Sequence, residues 1–360
     1  MAENKFNGEM IRKELEEKGV CVVPGVLSEE ECDELVASYR HWLKQFKDED
    51  WPFHMNSVIQ QYYIGHFQPT WTARLKSKDV FKEVWQTNKL LTSLDGVAIS
   101  PPPELGGSAF AVADAHWFHL DQGAIRQGLH AYQGAVYLEE TTESDYVFRV
   151  LEGSHKLHKH FFEKFSKAAR KSSRHDFYKL TPEEYEWYIG QGCVKRTIPV
   201  PKGGMVLWDS RTIHDNCKPQ FGRPNSDRWR FVVFSCMTPA IWAREKDITK
   251  KRTAYKKMLM TSHWPSQEVD YFDDFMPTHE GKIHTIKALP DIAKTQEAQQ
   301  LSGVLEYDFE DGQSNGPEAP TWITLEQIGL DPNENGDDED YPTDGSVPAW
   351  QKKNKNKYHN

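Results

Sequence analysis

Between about Ser108 and Pro239 the chain is a succession of short β-branched and aromatic runs separated by turns. This texture limits the available folds more than any other feature. The runs lie at 131–138, 146–151, 194–200, 205–208 and 231–236. Helices of regular period do not alternate with them, which argues against a parallel sheet of βαβ units and for a sandwich or barrel. One interruption, about 155–192, reads as helical. Within it Thr181 is followed by Pro182, Glu183 and Glu184, an N-cap with proline in the first turn. Upstream, Gly19 to Pro24 is an apolar run between glycine and proline and reads as a strand. Ser28 and Glu31 then form a capping box, opening a helix expected to reach about Lys47. A mixed, Trp-rich stretch continues to about residue 95, and no internal repeat is present.

Residues 241–262 read as one or two helices, and apolar content falls after about residue 300. The pattern divides the chain into a β domain over 1–240 carrying the insertion at about 155–192, a helical extension packed on it over 241–310, and an acidic tail over 311–360. That tail is expected to be mostly disordered, with Thr321–Leu330 as a short docking segment. The formal charge of −10 belongs to this end of the molecule, since residues 301–360 hold 13 Asp/Glu and 4 Lys. A phosphate-tracking surface needs clustered Lys/Arg, so the near-neutral body argues against a nucleic-acid partner. The basic stretch Lys159–Arg174 reads as a solvated helix face. No apolar run reaches the roughly 18 residues of a membrane span, and the polar start lacks the apolar core of a secretory signal. Five widely spaced cysteines without a Cys-x-x-Cys pair point to a reducing compartment rather than to a disulfide framework or a structural zinc site. The expected location is cytoplasmic.

The chemistry concentrates in His119-Leu120-Asp121 and His214. Alternation along a strand puts His119 and Asp121 on one face, and His214, following the 205–208 strand, would add a second imidazole. Three ligands on one face leave three positions open on an octahedral ion. That suits non-haem Fe(II), where a co-substrate and O2 bind together. If the co-substrate is 2-oxoglutarate, its distal carboxylate needs a bidentate guanidinium. Arg228 and Arg230 open the next strand with the same parity. Arg230 is favoured because it abuts the apolar run, and Arg228 stays as the second candidate. Gln133, at the start of the strand after the metal motif, could bond the co-substrate or face the substrate, and Gln122 is a weaker candidate. His116 reads as structural, the cluster His155, His158 and His160 as a turn, and Trp117, Phe118, Trp208 and Trp229 as core. Thr261–Trp264 is placed over the mouth of the domain.

These residues resemble the phytanoyl-CoA dioxygenase family of Fe(II)/2-oxoglutarate oxygenases. The stretch from Gly19 to Leu35 is similar to the family's opening strand and helix. His119, Asp121 and His214 match its metal motif. Val150 to His155 resembles its Gly-Ser-His turn, and Gly203 to Asp209 its strand before the distal histidine. The resemblance covers about 12–240. It implies a mainly β fold with flanking helices, specifically a double-stranded β-helix (jelly roll, cupin-like). It also implies oxidative decarboxylation of 2-oxoglutarate to succinate and CO2, coupled to oxidation of a substrate. Halogenating relatives replace the carboxylate ligand with a small residue, so Asp121 argues against halogenation. The expected activity is hydroxylation of a small organic molecule, with His119, Asp121 and His214 holding iron. Two rivals use the same residues: a jelly-roll binding module without turnover, and a zinc hydrolase. A nucleic-acid demethylase is weakened by the charge distribution.

Overall fold

The computed structural model describes residues 5–46, 51–105, 117–272, 275–279 and 281–331. The first half runs α1 (Gly8–Lys18), β1 (Val20–Val23), α2 (Glu29–Leu43), β2 (Val58–Ile59), α3 (Gln68–Trp85), β3 (Leu90–Thr92), β4 (Val97–Ser100), β5 (His119–Leu120), β6 (Arg126–Gln127), β7 (Tyr132–Tyr137) and β8 (Phe148–Glu152). The second half runs α4 (His158–Lys164), α5 (Ser166–His175), β9 (Tyr178–Lys179), α6 (Pro182–Gly190), β10 (Val194–Ile198), β11 (Met205–Asp209), β12 (His214–Asn216), β13 (Arg230–Pro239), α7 (Glu245–Lys257), α8 (Gln296–Leu301) and β14 (Thr321–Trp322).

The strands pair antiparallel into two main sheets. The larger has the order β1-β11-β7-β13-β4-β2, with β3 on the far end of β13, and the smaller the order β10-β8-β12-β5-β9. Tyr137, Val206, Trp208 and Val232 of the larger sheet share a buried cluster with Phe148 and Val150 of the smaller, so the sheets face each other. The molecule is therefore mainly β with flanking helices. The outer face of the larger sheet is also covered. Ile11 and Leu15 of α1, Val36 and Tyr39 of α2, and Phe81 and Val84 of α3 pack with Met205 and Leu207. Covering on both faces explains why β11 is buried at every position and reads as an unbroken apolar run.

Local chemistry accounts for several elements. The Ser28 hydroxyl accepts from Glu31 N and the Glu31 carboxylate from Ser28 N, closing the capping box of α2. Thr181 and Glu184 do the same for α6. Gly19 ends α1 at φ +81°, where a Cβ would lie 2.5 Å from His155 Nδ1, so only glycine fits. The expected helix from Ser28 ends at Leu43 rather than Lys47. Helix α3 occupies the stretch that reads as mixed. Its N-cap position is Phe67, which makes no side-chain cap, and it buries Thr70, Arg74 and Ser77 along with Trp71 and Phe81. Neither a cap nor an apolar stripe marks it.

The insertion forms α4, α5 and α6. Phe161, Phe162 and Tyr188 from these helices pack against Leu120 and Ile213, bracing the two strands that carry the histidines from behind. The first part of the expected acidic tail is seated on the body. Asp311 pairs with Lys89 at 2.6 Å, Trp242 Nε1 donates to Pro317 O, and β14 pairs with β6. Trp322 lies 4.2 Å from the Arg126 guanidinium. The segment at Thr321–Trp322 thus has partners on the body where a docking segment was expected, and so does the stretch from Asp311 to Pro317, which reads as disordered from its sequence; buried Lys89 and Arg126 supply the charged partners. Residues 332–360 lie outside the described residues, as does His116. Among the described residues no helix is long and apolar enough to cross a membrane.

Candidate metal centre

His119 on β5 and His214 on β12 are register partners across an antiparallel pair, so both imidazoles stand on one face with ring centroids 4.3 Å apart. Each ring is fixed by its own chain. Nδ1 of His119 donates to Trp117 O at 3.0 Å, and Nδ1 of His214 to Thr212 O at 2.9 Å. A carbonyl only accepts, so the proton resides on Nδ1 and the Nε2 lone pair points forward. Asp121 follows at the end of β5. Its carboxylate oxygens lie 3.8 Å from His119 Nε2 and 3.4 Å from His214 Nε2. One donor atom from each of the three residues falls within 4.8 Å of the other two, the one such cluster among the described residues.

The electrostatics agree with ligand duty. Burial, then the neighbouring His214, pulls the His119 imidazole down to about 4, so it is neutral at physiological pH. Burial alone would raise Asp121, but the adjacent His214, His119 and His263 rings outweigh it and hold the carboxyl well below the usual range. Gln133, buried on β7, donates Nε2 to Asp121 Oδ2 at 3.1 Å and orients the carboxylate. Two imidazoles and one carboxylate aimed at one point fit a divalent cation of the Fe or Zn type.

The triad lines a cavity of about 490 Å³. Phe148 and Trp208 pack beside His214, with ring centroids 5.5 and 5.2 Å away. Arg230 enters the same cavity from the first residue of β13 and is buried to 4 % exposure. Its Nη1 donates to Ser57 Oγ at 2.7 Å, while its buried Nε meets no partner among the described residues. The phenols of Tyr137 and Tyr146 lie near it, and burial lowers its pKa. Among the described residues no carboxylate answers it. Arg228 lies elsewhere. It pairs with Asp145 at 2.9 Å and with Glu140, beside an Arg223–Asp145 bridge, and does not line the triad's cavity.

The other sequence candidates are accounted for. Gln122 bonds Arg126 O, Gly128 O and Ser210 Oγ in a turn. His155 bonds Glu16 O, His158 bonds Gln122 O, and His160 is exposed, so the three do not converge. Of Thr261–Trp264, His263 reaches the cavity with its Nε2 buried and unpartnered. Asp95, Asn216 and Lys218 also line the cavity and were not among the sequence candidates. Asn216 and Lys218 lie two and four residues after His214, but Cys217 between them lines the cavity too, so alternation does not single them out. Asp95, pushed up to about 7 chiefly by burial, carries no such signal either.

A family model described as phytanoyl-CoA dioxygenase matches residues 15–216. The protein named "Ava biosynthesis cluster protein O", from Aspergillus versicolor, is 27 % identical over 276 residues, 72 % of this chain and 86 % of that one. Among solved structures, the GlcNAc Inducible Gene 2 protein (GIG2) of Candida albicans aligns at a TM-score of 0.56 and 15 % identity, covering 91 % of this chain and 81 % of that chain. That likeness is one of fold. EctD from S. alaskensis, solved with 2-oxoglutarate and 5-hydroxyectoine, aligns at a TM-score of 0.45 and 12 % identity over 74 % of this chain and 83 % of that chain.

Proposed function

The chain belongs to the phytanoyl-CoA dioxygenase family, and from that premise we propose that it is an Fe(II)- and 2-oxoglutarate-dependent oxygenase that hydroxylates a small organic molecule. The family and the His-Asp-His cluster together assign Fe(II), 2-oxoglutarate and O2 as cofactor and co-substrates. The facing sheets are read as the family's jelly roll. In this reading residues 1–240 form the oxygenase domain, 241–310 its helical extension and 311–360 an acidic segment. The free cysteines fit a cytoplasmic location.

His119, Asp121 and His214 are assigned to the metal. Their roles follow from the contacts around them. The Nδ1 bonds to backbone present both Nε2 lone pairs without reorganisation, and Gln133 keeps the Asp121 carboxylate turned toward them. Arg230 is assigned to the distal carboxylate of 2-oxoglutarate. Phe148 and Trp208 exclude water on the His214 side. When bound, Fe(II) and 2-oxoglutarate supply the electrons that activate O2, and the protein supplies position and dryness.

The observation that carries the reading is the buried Arg230, without a carboxylate partner among the described residues, in one cavity with the metal triad. A zinc hydrolase has no use for it, and a guanidinium held there favours an anionic co-substrate. The test is turnover of Fe(II)-loaded enzyme with 2-oxoglutarate against a metabolite library, read by mass spectrometry. A product heavier by one oxygen atom, formed with succinate, is expected. Hydrolysis products from zinc-loaded enzyme, without succinate, would contradict it.

A further inference from the structure

Arg230 is not the only cation in the cavity without an anion. Lys218 lines it too, and among the described residues no hydrogen-bond or ion-pair partner reaches its ammonium. Backbone geometry brings it there. β12 continues past Asn216, since Cys217 N donates to Val147 O at 2.9 Å and Gln220 N to Ser144 O at 2.8 Å. His214, Asn216, Cys217 and Lys218 then form one row along the cavity wall. The row begins at the metal triad and ends beside Arg230.

Lys218 belongs to the arginine end of that row. Burial lowers its pKa, and the neighbouring charge that adds to the effect is Arg230. Its other titratable neighbour, His54, is held down to about 4 by burial and then by Lys218 itself, so it is neutral and brings no negative charge. Two cations share a partly dry pocket, and the described residues give neither a counterion. One carboxylate between them removes the repulsion and satisfies both.

Resting on the oxygenase reading above, we infer that Lys218 is a second clamp on the distal carboxylate of 2-oxoglutarate, gripping it together with Arg230. Arg230 supplies the rigid fork, and Lys218 supplies a point charge on a flexible stem from the opposite sheet. The pair measures the co-substrate from its far end, while the metal end takes the 2-keto acid. Lys218 is thus a co-substrate positioning residue.

The experiment is calorimetric titration of the full-length, Mn(II)-loaded protein without O2, with 2-oxoglutarate and with pyruvate. Pyruvate keeps the 2-keto acid and lacks the distal carboxylate. For Lys218→Met we expect 2-oxoglutarate binding weakened by roughly tenfold or more, the scale of one charge-assisted hydrogen bond. Pyruvate binding should be unchanged, and Lys218→Arg should recover most of the loss. Three results overturn the inference: unchanged 2-oxoglutarate affinity in Lys218→Met, equal weakening of both ligands, or no rescue by arginine. If Arg230→Ala weakens 2-oxoglutarate while Lys218→Met does not, Lys218 is free to serve the primary substrate and only the clamp fails. If the wild-type protein binds Mn(II) but not 2-oxoglutarate, the oxygenase reading itself fails and the clamp with it.

Discussion

The two ends of the cavity are built in opposite ways. At the metal end the non-ligating atoms are held within the protein: each imidazole Nδ1 on a backbone carbonyl, the Asp121 carboxylate on Gln133, and the strands braced by the insertion helices. At the other end Arg230 keeps a buried Nε without a partner among the described residues, and Lys218 stands beside it. One end is preorganised for a cation, and the other has positive charge waiting for an anion. Preorganisation is affordable where the ligand is a small permanent ion. Unsatisfied charge is tolerable where a ligand arrives and leaves in each cycle. The difference teaches that the molecule is complete only with a bridging ligand that is anionic at the far end and chelating at the near one.

The comparison breaks most easily at the metal end. Asp121→Ala removes the carboxylate and leaves two imidazoles, so metal affinity should fall by more than about 100-fold, beyond the range for outer contacts. Succinate formation should disappear. Metal analysis after dialysis checks the first, and retained wild-type turnover would show that Asp121 is not a ligand.

At the arginine end the loss should be smaller and confined to the co-substrate. Arg230→Ala should weaken 2-oxoglutarate by roughly 10- to 150-fold, the value of a charge-assisted contact of about 1.5–3 kcal/mol. Fe(II) affinity should hardly move. Arg230→Lys keeps the charge without the fork and should fall between. Arg228→Ala should leave the 2-oxoglutarate requirement near wild type, because its partners are Asp145 and Glu140. A reversed order of the two arginines would move the anion site out of the cavity.

Gln133→Ala sharpens the contrast from the metal side. It frees one Asp121 oxygen without removing a ligand, and losing such an outer contact costs about 10- to 100-fold in metal affinity. Titration with Fe(II) under anaerobic conditions measures it. No change would mean that the carboxylate is oriented by something other than Gln133.

Much of this site was legible in the sequence because strand alternation is a strong rule. It placed His119 beside Asp121, and the capping box at Ser28 and the Thr-Pro start at Thr181 located two helices. Alternation could not separate Arg228 from Arg230, which share parity. In the structure Arg228 is tied to Asp145 while Arg230 lines the cavity, which supports assigning Arg230. Asn216 and Lys218 reach the cavity because the chain after His214 stays beside the chain before β8, through Cys217 N to Val147 O and Gln220 N to Ser144 O. Two-residue strands such as β6 and β9 are too short to show a period. Helix α3 has no capping signal and buries Arg74 and Ser77, so only its packing reveals it. The seating of 311–331 depends on Arg126, which is far away in sequence.

The smallest expected effect lies farthest from either end. Ending the chain after Leu330 keeps β14 and should change stability by less than about 0.5 kcal/mol. Ending it before Thr321 removes a strand pair, the His130–Thr321 hydrogen bond and the Trp322–Arg126 stack. That should cost about 1–3 kcal/mol. Denaturant melts of the two truncations decide between a seated segment and a passive tail.

The central claim is that a metal and 2-oxoglutarate act together in this cavity, and the most direct measurement is succinate release. Fe(II)-loaded wild-type protein with 2-oxoglutarate and O2 should form succinate, the rate should vanish without Fe(II), and Asp121→Ala should abolish it. Absence of succinate from the Fe(II)-loaded wild type across the metabolite library, or succinate formed at an unchanged rate by Asp121→Ala, would contradict the account.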